Sequence, residues 1–416
     1  MPICPRWTDI HWLCRGCGTF LLLLLIFLPE QAAPAACSSF SGLIRNGGVG
    51  VVERSGTVRG CELDTPFIPA SILKISTALI ALQVLGPDYR FRTEFHVDAA
   101  GDLFIRGFGD PMLVSEEVDL IVRELRARGL RRIRAIYIDP SLFALDSDVP
   151  GRGGSDNPYD AAVGPVAVNF NTVSLLVAGN GTVRSAEPQT PTLPLMEEMG
   201  RGLRPGRYRL NICRSRQRLQ QMMARYAAEL FLAVFQRHNV SCTGKWGIRT
   251  VPADSLPFHV HLQSRTLEQV CAAMLRFSNN YMANLVFLVT GAEKAGYPAT
   301  WEKARQTAAH ELALLLGPAA AARFRQVDGA GLSRDDRVTA RAMLKLLQVF
   351  RPHRLLLPER RGVLLKTGTL HGVYNLAGYL ADGIPFVVLL NQSRNRRFVL
   401  LDRLRTRYGR DCGGGS

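Results

Sequence analysis

The sequence predicts an α+β protein in which two separated stretches, 37–90 and 262–411, form one domain of helices on a sheet. A β-rich accessory domain, 91–261, is inserted between them. Three observations predict this. Short apolar runs broken by Gly, Pro and Asp turns dominate from about residue 91 to 210, a texture unlike the helical patterns on either side. Strand-like runs stand at both ends of the remaining chain. Three short polar words, Ser71-Ile-Leu-Lys74, Ser278-Asn-Asn280 and Lys366-Thr-Gly368, have the residue types of a single acyl-transfer site, so the fold has to bring distant segments together.

Taken in order, Gly47–Val52 reads as a strand ending near Arg54-Ser-Gly56. An apolar helix, Ile72–Leu85, follows Pro69 and stops at Gly86-Pro87. Arg90–Val97, Asp102–Arg106 and Arg134–Ile138 read as strands, with a helix near Ser115–Arg128 between them. Pro188–Gly206 is rich in Pro, Thr and Gly and reads as loop. Gln217–Arg237 is a long amphipathic helix, followed by a turn and a short strand. One or two helices surround Ser278 over 264–290, and two more cover Glu302–Leu316 and Thr339–Phe350. The last third ends in strands Gly362–Lys366, Tyr374–Leu380 and Ile384–Leu390, then a helix near Arg397–Tyr408.

Residues 1–36 read as a secretory leader: Arg6 and Arg15 precede the apolar run Thr19–Leu28, and Ala33-Pro34-Ala35 offers a cleavage site. The run is shorter than the roughly 20 apolar residues that a membrane span needs. An extracytoplasmic or periplasmic location is expected, where disulfides form. Cys37, Cys61, Cys213, Cys242, Cys271 and Cys412 follow the leader, and their spacing does not fix a pairing. A lipidated Cys37 is a further option, although no Leu sits three residues before it. No C-x-x-C and no His-rich cluster accompanies these cysteines, which argues against a zinc site.

The net charge of +16 favours anionic partners, for an exported chain a wall polymer or membrane surface. Scattered arginines and few aromatics disfavour nucleic acid. The basic residues are overwhelmingly arginine, and the only lysines are Lys74, Lys245, Lys294, Lys303, Lys345 and Lys366. Two of these six stand in the motifs. Arginine does not release its proton, so it could not replace Lys74 as a base.

The chemistry follows from the residue types. A serine hydroxyl is a weak nucleophile until a base removes its proton. Residues three apart share a helix face, so Lys74 can reach Ser71. A helix N-terminus favours an alkoxide and disfavours a protonated lysine, and its free N–H groups can hold an oxyanion. Ser278 can pass a proton between Lys74 and a leaving amine, and Asn280 can bond a substrate carbonyl. Lys366 ends a strand whose edge can take an extended peptide. Its charge suits a terminal carboxylate, with Thr367 and Thr369 directing it, the Thr369 N–H as an oxyanion donor, and Gly368 permitting close approach.

These motifs resemble the penicillin-recognising serine hydrolases, and within them the low-molecular-mass class C penicillin-binding proteins, the D-alanyl-D-alanine carboxypeptidase/endopeptidase family. The resemblance extends to Leu103–Pro111, Pro165–Asn171, Asp328–Arg334, Arg337–Ala340, Lys366–Leu370 and Leu376–Tyr379. It implies a penicillin-binding transpeptidase/β-lactamase-like domain of helices on an antiparallel sheet. It implies Ser71 as acyl-ester nucleophile, Lys74 as proton acceptor, Ser278 in proton relay and Lys366 in substrate binding. The implied substrates are peptidoglycan stem peptides ending in D-Ala-D-Ala, or their cross-links, with β-lactams as inhibitors and no metal or organic cofactor. Two departures stand out: a short gap between the first two motifs, and Asp335-Asp336 where relatives often carry another pair. A β-lactamase would need a glutamate to hold a deacylating water, and nothing marks Glu293, Glu302 or Glu311 as that residue. A non-catalytic peptidoglycan- or β-lactam-binding protein would be expected to lose Ser71 or Lys74, and both are present.

Overall fold

The computed structural model describes residues 40–408, except 147 and 214–217. The expected leader, Cys37 and Cys412 lie outside the described residues. Six antiparallel strands form the larger sheet: β1 (Gly47–Val52), β2 (Val58–Cys61), β3 (Glu359–Arg360), β4 (Val363–Leu370), β5 (Val373–Tyr379) and β6 (Pro385–Leu390), in the order β3-β4-β5-β6-β1-β2. Because β1 pairs with β6, early and late chain share one sheet, with Val49 opposite Val388. The period-two alternation of β6 divides its apolar residues between two cores. Val387 and Leu389 face helices α1 (Lys74–Leu85), α2 (Leu267–Phe277), α3 (Asn280–Ala295), α4 (Trp301–Leu316) and α5 (Ala340–Phe350). Phe386, Val388 and Leu390 face α6 (Arg397–Tyr408) through Leu400, Leu401 and Leu404.

α1 is buried from Lys74 to Leu82, which explains why its sequence is apolar on every side. α2 starts with a capping box in which the Thr266 side chain accepts from the Gln269 N–H and Gln269 accepts from the Thr266 N–H.

Residues 92–262 build a second sheet, in the order Ser241–Ile248, Arg132–Asp139, Leu103–Gly107, Arg92–Val97, His259–Leu262. The expectation of a β-rich segment understates its helices. Leu103–Gly107 and Arg132–Asp139 run parallel, which demands a crossover, and the Ser115–Ala127 helix supplies it. That helix and Leu219–Arg237 cover the sheet around a separate apolar core containing Phe95, Ile136, Tyr226 and Phe231. A small sheet of Thr172–Val177, Val183–Ser185 and Gly206–Asn211 completes the region. The stretch expected to be loop holds a helix, Pro194–Gly200: Pro194 is preorganised for the first turn and Leu195 and Met196 are buried, so packing overrides the loop-like composition. Among the described residues no helix is long and apolar enough to cross a membrane.

Cys61 is disulfide-bonded. Cys242 and Cys271 are free thiols whose burial pushes their pKa up to about 11 and about 12, so both stay protonated and inert near neutrality.

Candidate active site

Ser71 sits in a short 3₁₀ turn, Ala70–Leu73, that runs directly into α1 at Lys74. The turn is held from the sheet. Buried Asn375 of β5 donates to the carbonyls of Ile68 and Pro69, both at 2.8 Å, and its own oxygen accepts from the Leu390 N–H at 2.8 Å. Asn391 accepts from the Ile68 N–H at 2.8 Å. These bonds stabilise Ala70 in a left-handed conformation, φ 49°, that non-glycine residues seldom adopt.

Lys74 is wholly buried and its Nζ donates to three acceptors: Ser71 Oγ at 2.9 Å, Asn280 Oδ1 at 2.8 Å and the Ala330 carbonyl at 2.7 Å. Burial lowers its pKa to about 7, although the nearby Asp328 and Asp336 carboxyls pull it upward. The expected approach of lysine to serine is therefore present, and the lysine can lose its proton near neutral pH.

Ala330 belongs to a tight loop organised by Asp328. That carboxylate accepts from the N–H groups of Ala330 (2.6 Å), Gly331 (2.8 Å), Leu332 (3.3 Å) and Ser333 (2.7 Å). Gly331 has φ 75°, and a Cβ there would stand 2.1 Å from the Ala70 carbonyl oxygen. Asp336, one of the two unusual acidic residues, is buried and accepts from the Val327 N–H at 2.7 Å. Burial and the neighbouring Asp328 hold its carboxyl well above the usual range.

Ser278 caps the end of α2 in the left-handed conformation, φ 55°, and Asn279 caps the start of α3 by accepting from the Met282 N–H. The motif is thus the break between two helices, which turns Ser278 and Asn280 toward the same cleft. Ser278 Oγ accepts from Lys366 Nζ at 2.7 Å, whereas Lys74 reaches Asn280. Asn280 Nδ2 donates to the Tyr159 carbonyl at 3.3 Å.

Lys366 is 2% exposed; its Nζ also donates to the Thr367 carbonyl at 2.9 Å. Burial and the cations Lys74, Arg360 and Arg397 lower its pKa to about 6. β3 pairs with β4 only at Val363 and Leu364, so beyond Lys366 that edge of β4 has no strand partner among the described residues. At Gly368 a Cβ would lie 2.6 Å from the Pro69 carbonyl oxygen, which shows why glycine is needed where β4 meets the serine turn. Arg397 donates to Thr369 Oγ1 at 2.7 Å and to the Gly368 carbonyl at 3.2 Å, beside this free edge.

The region 92–262 also buttresses the second motif. Asn169, Phe170 and Asn171 all have positive φ, 48°, 59° and 50°. Their strained turn is tied by the Asn169 bonds to Ser115 and Tyr226. It presents Phe170 edge-on to Tyr281, ring centroids 5.9 Å apart, next to Asn280. Tyr281 Oη donates to the Ala167 carbonyl at 2.9 Å. A cleft of about 600 Å³ opens here, lined by Tyr159, Phe170, Arg209 and Ser278–Asn280. Another of about 630 Å³, between Phe143 and Met223, includes none of the motif residues.

Of the eight expected residues, Ser278 and Asn280 line this cleft. Lys74 joins Ser71 to Asn280, Lys366 reaches Ser278, and Thr367, Gly368 and Thr369 continue β4 past the serine turn. Asp328, the Ala330 carbonyl, Asn375 and Arg397 were not assigned roles from sequence. The Asp-Gly-Ala-Gly run is a legible turn signal. Nothing distinguishes Arg397 in so arginine-rich a chain. Glu293 bonds Tyr89 and Tyr297, Glu302 bonds Gln306 and Glu311 pairs with Lys294, so these glutamates are engaged away from Ser71.

Comparison with known proteins bears on the family and the fold. The family described as D-Ala-D-Ala carboxypeptidase 3 (S13) matches residues 48–199 and 213–358. A D-alanyl-D-alanine carboxypeptidase of Actinomadura sp. (strain R39) is 29% identical over 323 residues, 68% of this chain and 60% of that enzyme's length. The D-alanyl-D-alanine carboxypeptidase DacB of Haemophilus influenzae is 22% identical over 94% of this chain and 96% of its own. Among solved structures, penicillin-binding protein 4 (dacB) of H. influenzae superposes with a TM-score of 0.67 at 20% identity, covering 84% of this chain and 91% of that one. A predatory peptidoglycan endopeptidase from Bdellovibrio bacteriovorus gives 0.51 at 16% identity, covering 87% and 90%. The structural likeness establishes a penicillin-binding-protein fold of helices on an antiparallel sheet.

Proposed function

The chain belongs to the D-Ala-D-Ala carboxypeptidase 3 (S13) family, a family of serine-type peptidases, and on that premise we propose that it is an exported enzyme that trims or cleaves peptidoglycan stem peptides through an ester on Ser71. The observation that carries the proposal is the 2.9 Å contact between Ser71 Oγ and a buried Lys74 whose pKa is lowered to about 7. A lysine with an ordinary pKa near 10.4 would be protonated and useless as a base at neutral pH.

In this reading the Ser71 oxygen attacks the carbonyl carbon of the penultimate D-Ala while its proton passes to neutral Lys74. The N–H groups of Ser71 and Thr369 hold the oxyanion. The intermediate collapses as the C–N bond breaks. The departing amine takes a proton from Lys74, relayed by Ser278. Water, deprotonated by Lys74, then hydrolyses the ester and frees Ser71. Lys366, Thr367 and Thr369 bind the terminal carboxylate, Gly368 lets the peptide lie close, and Asn280 steers its backbone. The carboxylate also favours the charged form of Lys366, which restores an ion pair in a buried site.

β-Lactams would acylate the same serine. Penicillin-binding protein 4 of H. influenzae has a solved structure in complex with a novel β-lactam. We take residues 37–90 and 262–411 as the catalytic domain and 91–261 as an accessory domain, supported by the two sheets and their separate cores. Export is supported by the sequence of residues 1–36. The direct test is chromatography of products from a stem pentapeptide and from cross-linked muropeptide dimers. Released D-Ala or liberated monomers support the proposal. Neither product, with no acylation by β-lactam, would leave only a binding protein.

A further inference from the structure

We propose that His259, His261 and Glu124 form a site for one divalent transition-metal ion of the zinc class, in the region 92–262 and separate from the acyl-transfer centre. His259 and His261 lie two apart on the edge strand His259–Leu262, so both rings point to one face. That face meets the Ser115–Ala127 helix. The alternate residues Val260 and Leu262 are exposed, while the His261 side chain is 3% exposed and that of His259 9%.

The donor set is already assembled. His259 Nε2 stands 2.9 Å from Glu124 Oε2, and His261 Nδ1 stands 3.0 Å from the same oxygen. One donor atom from each of the three residues falls within 4.8 Å of both others. Tetrahedral zinc with bonds of 2.0–2.2 Å separates its ligands by about 3.3 Å, so the two short contacts need to open by only a few tenths of an ångström.

A second carboxylate sets the orientation of the buried ring. Glu117, two helical turns before Glu124, accepts from His261 Nε2 at 2.7 Å. Its oxygens also accept from the Ser264 N–H at 2.8 Å and the Ser264 hydroxyl at 2.6 Å. With Nε2 donating to Glu117, Nδ1 is the nitrogen that faces Glu124 Oε2, and a metal ion would take the place of the Nδ1 proton between them. A carboxylate holding the far nitrogen of an imidazole is the usual support of a metal-binding histidine. Thr93 pairs with His261 across the ladder, and its buried hydroxyl has no partner among the described residues. Glu124 is partly exposed, which leaves an entry path and an open coordination position for water. Two imidazoles and one carboxylate suit zinc, cobalt, nickel or copper rather than magnesium or calcium.

The sequence argued against zinc from its cysteines; this cluster uses none, and its acidic member is 135 residues from His259. An ion here would fix the last strand of the region to the helix. The chain next passes through Gln263 and Ser264 into α2, which ends at Ser278.

The test uses the tag-free mature protein, stripped with chelator and titrated with zinc alone. Elemental analysis after gel filtration should give one bound zinc per chain, with a raised melting temperature. His259→Gln and Glu124→Gln should each weaken zinc binding at least about tenfold and abolish the thermal shift, while β-lactam acylation confirms that the variants fold. Cobalt in place of zinc should give the intense visible bands of a four-coordinate centre, a readout that needs no variant. Weak octahedral cobalt bands, no retained zinc, or equal zinc retention by both variants would overturn the site, the last identifying an adventitious ion only.

Discussion

The candidate site contains two serine–lysine pairs that look alike and are built in opposite ways. Ser71 and Lys74 are three residues apart and meet at 2.9 Å by helical geometry alone. Ser278 and Lys366 are 88 residues apart and meet at 2.7 Å only because a helix break faces a strand. Both lysines are buried with lowered pKa values, but their surroundings differ. Lys74 is flanked by the carboxyls of Asp328 and Asp336, which offset part of the desolvation. Lys366 is surrounded by the cations Lys74, Arg360 and Arg397, which add to it. The first pair is suited to moving a proton near pH 7. The second is a positively charged environment awaiting an anion. Similar contacts therefore support different chemistry, and the difference lies in the second layer of charges.

Exchanging the lysines tests that contrast most strongly. Lys74→Ala should slow acylation by both β-lactam and peptide, by about 10²- to 10⁴-fold, the range of a lost general base. Stopped-flow or quenched mass measurements would check this, and an unchanged rate would remove Lys74 from proton transfer. Lys366→Ala should act through the carboxylate instead. A lost charge-assisted hydrogen bond is worth about 1.5–3 kcal/mol, so kcat/KM for a peptide acid should fall roughly 10- to 100-fold. The matching C-terminal amide should be far less affected. Equal losses on acid and amide would show that the two pairs are not specialised.

Gly368→Ala probes the contact between the two halves. Its Cβ would meet the Pro69 carbonyl oxygen at 2.6 Å, so the strand or the serine turn has to move. Destabilisation of about 1–3 kcal/mol is expected from such overpacking, read by denaturant unfolding, together with slower acylation. The smallest effect sought is a shift in pH dependence. The wild-type acylation rate should rise about tenfold per unit up to roughly pH 7, the value to which burial lowers Lys74, and level off above it. Asp328 raises that pKa, so Asp328→Asn should move the midpoint to lower pH. An unmoved midpoint would assign the titration to another group.

The same contrast explains how much was legible in the sequence. Ser71–Lys74 could be read because the spacing alone brings its atoms together. The strands of the larger sheet and the break at Ser278 could be read from period-two runs and from a polar step between apolar helices. What was hidden depends on tertiary contact. Asn375 looks like any strand residue until it is seen holding the Ile68 and Pro69 carbonyls. Ala330 contributes only a carbonyl, which no side-chain pattern reveals. Arg397 is one arginine among many until β4 brings Thr369 to it. Pro194–Gly200 was concealed because burial of Leu195 and Met196, not local propensity, makes it a helix.

The central claim is that Ser71 carries the acyl group. The intact mass of the mature protein after brief incubation with benzylpenicillin tests it most directly. One stable adduct is predicted on the wild type and none on Ser71→Ala. An adduct on Ser71→Ala, or rapid drug consumption without any adduct on the wild type, would contradict the account.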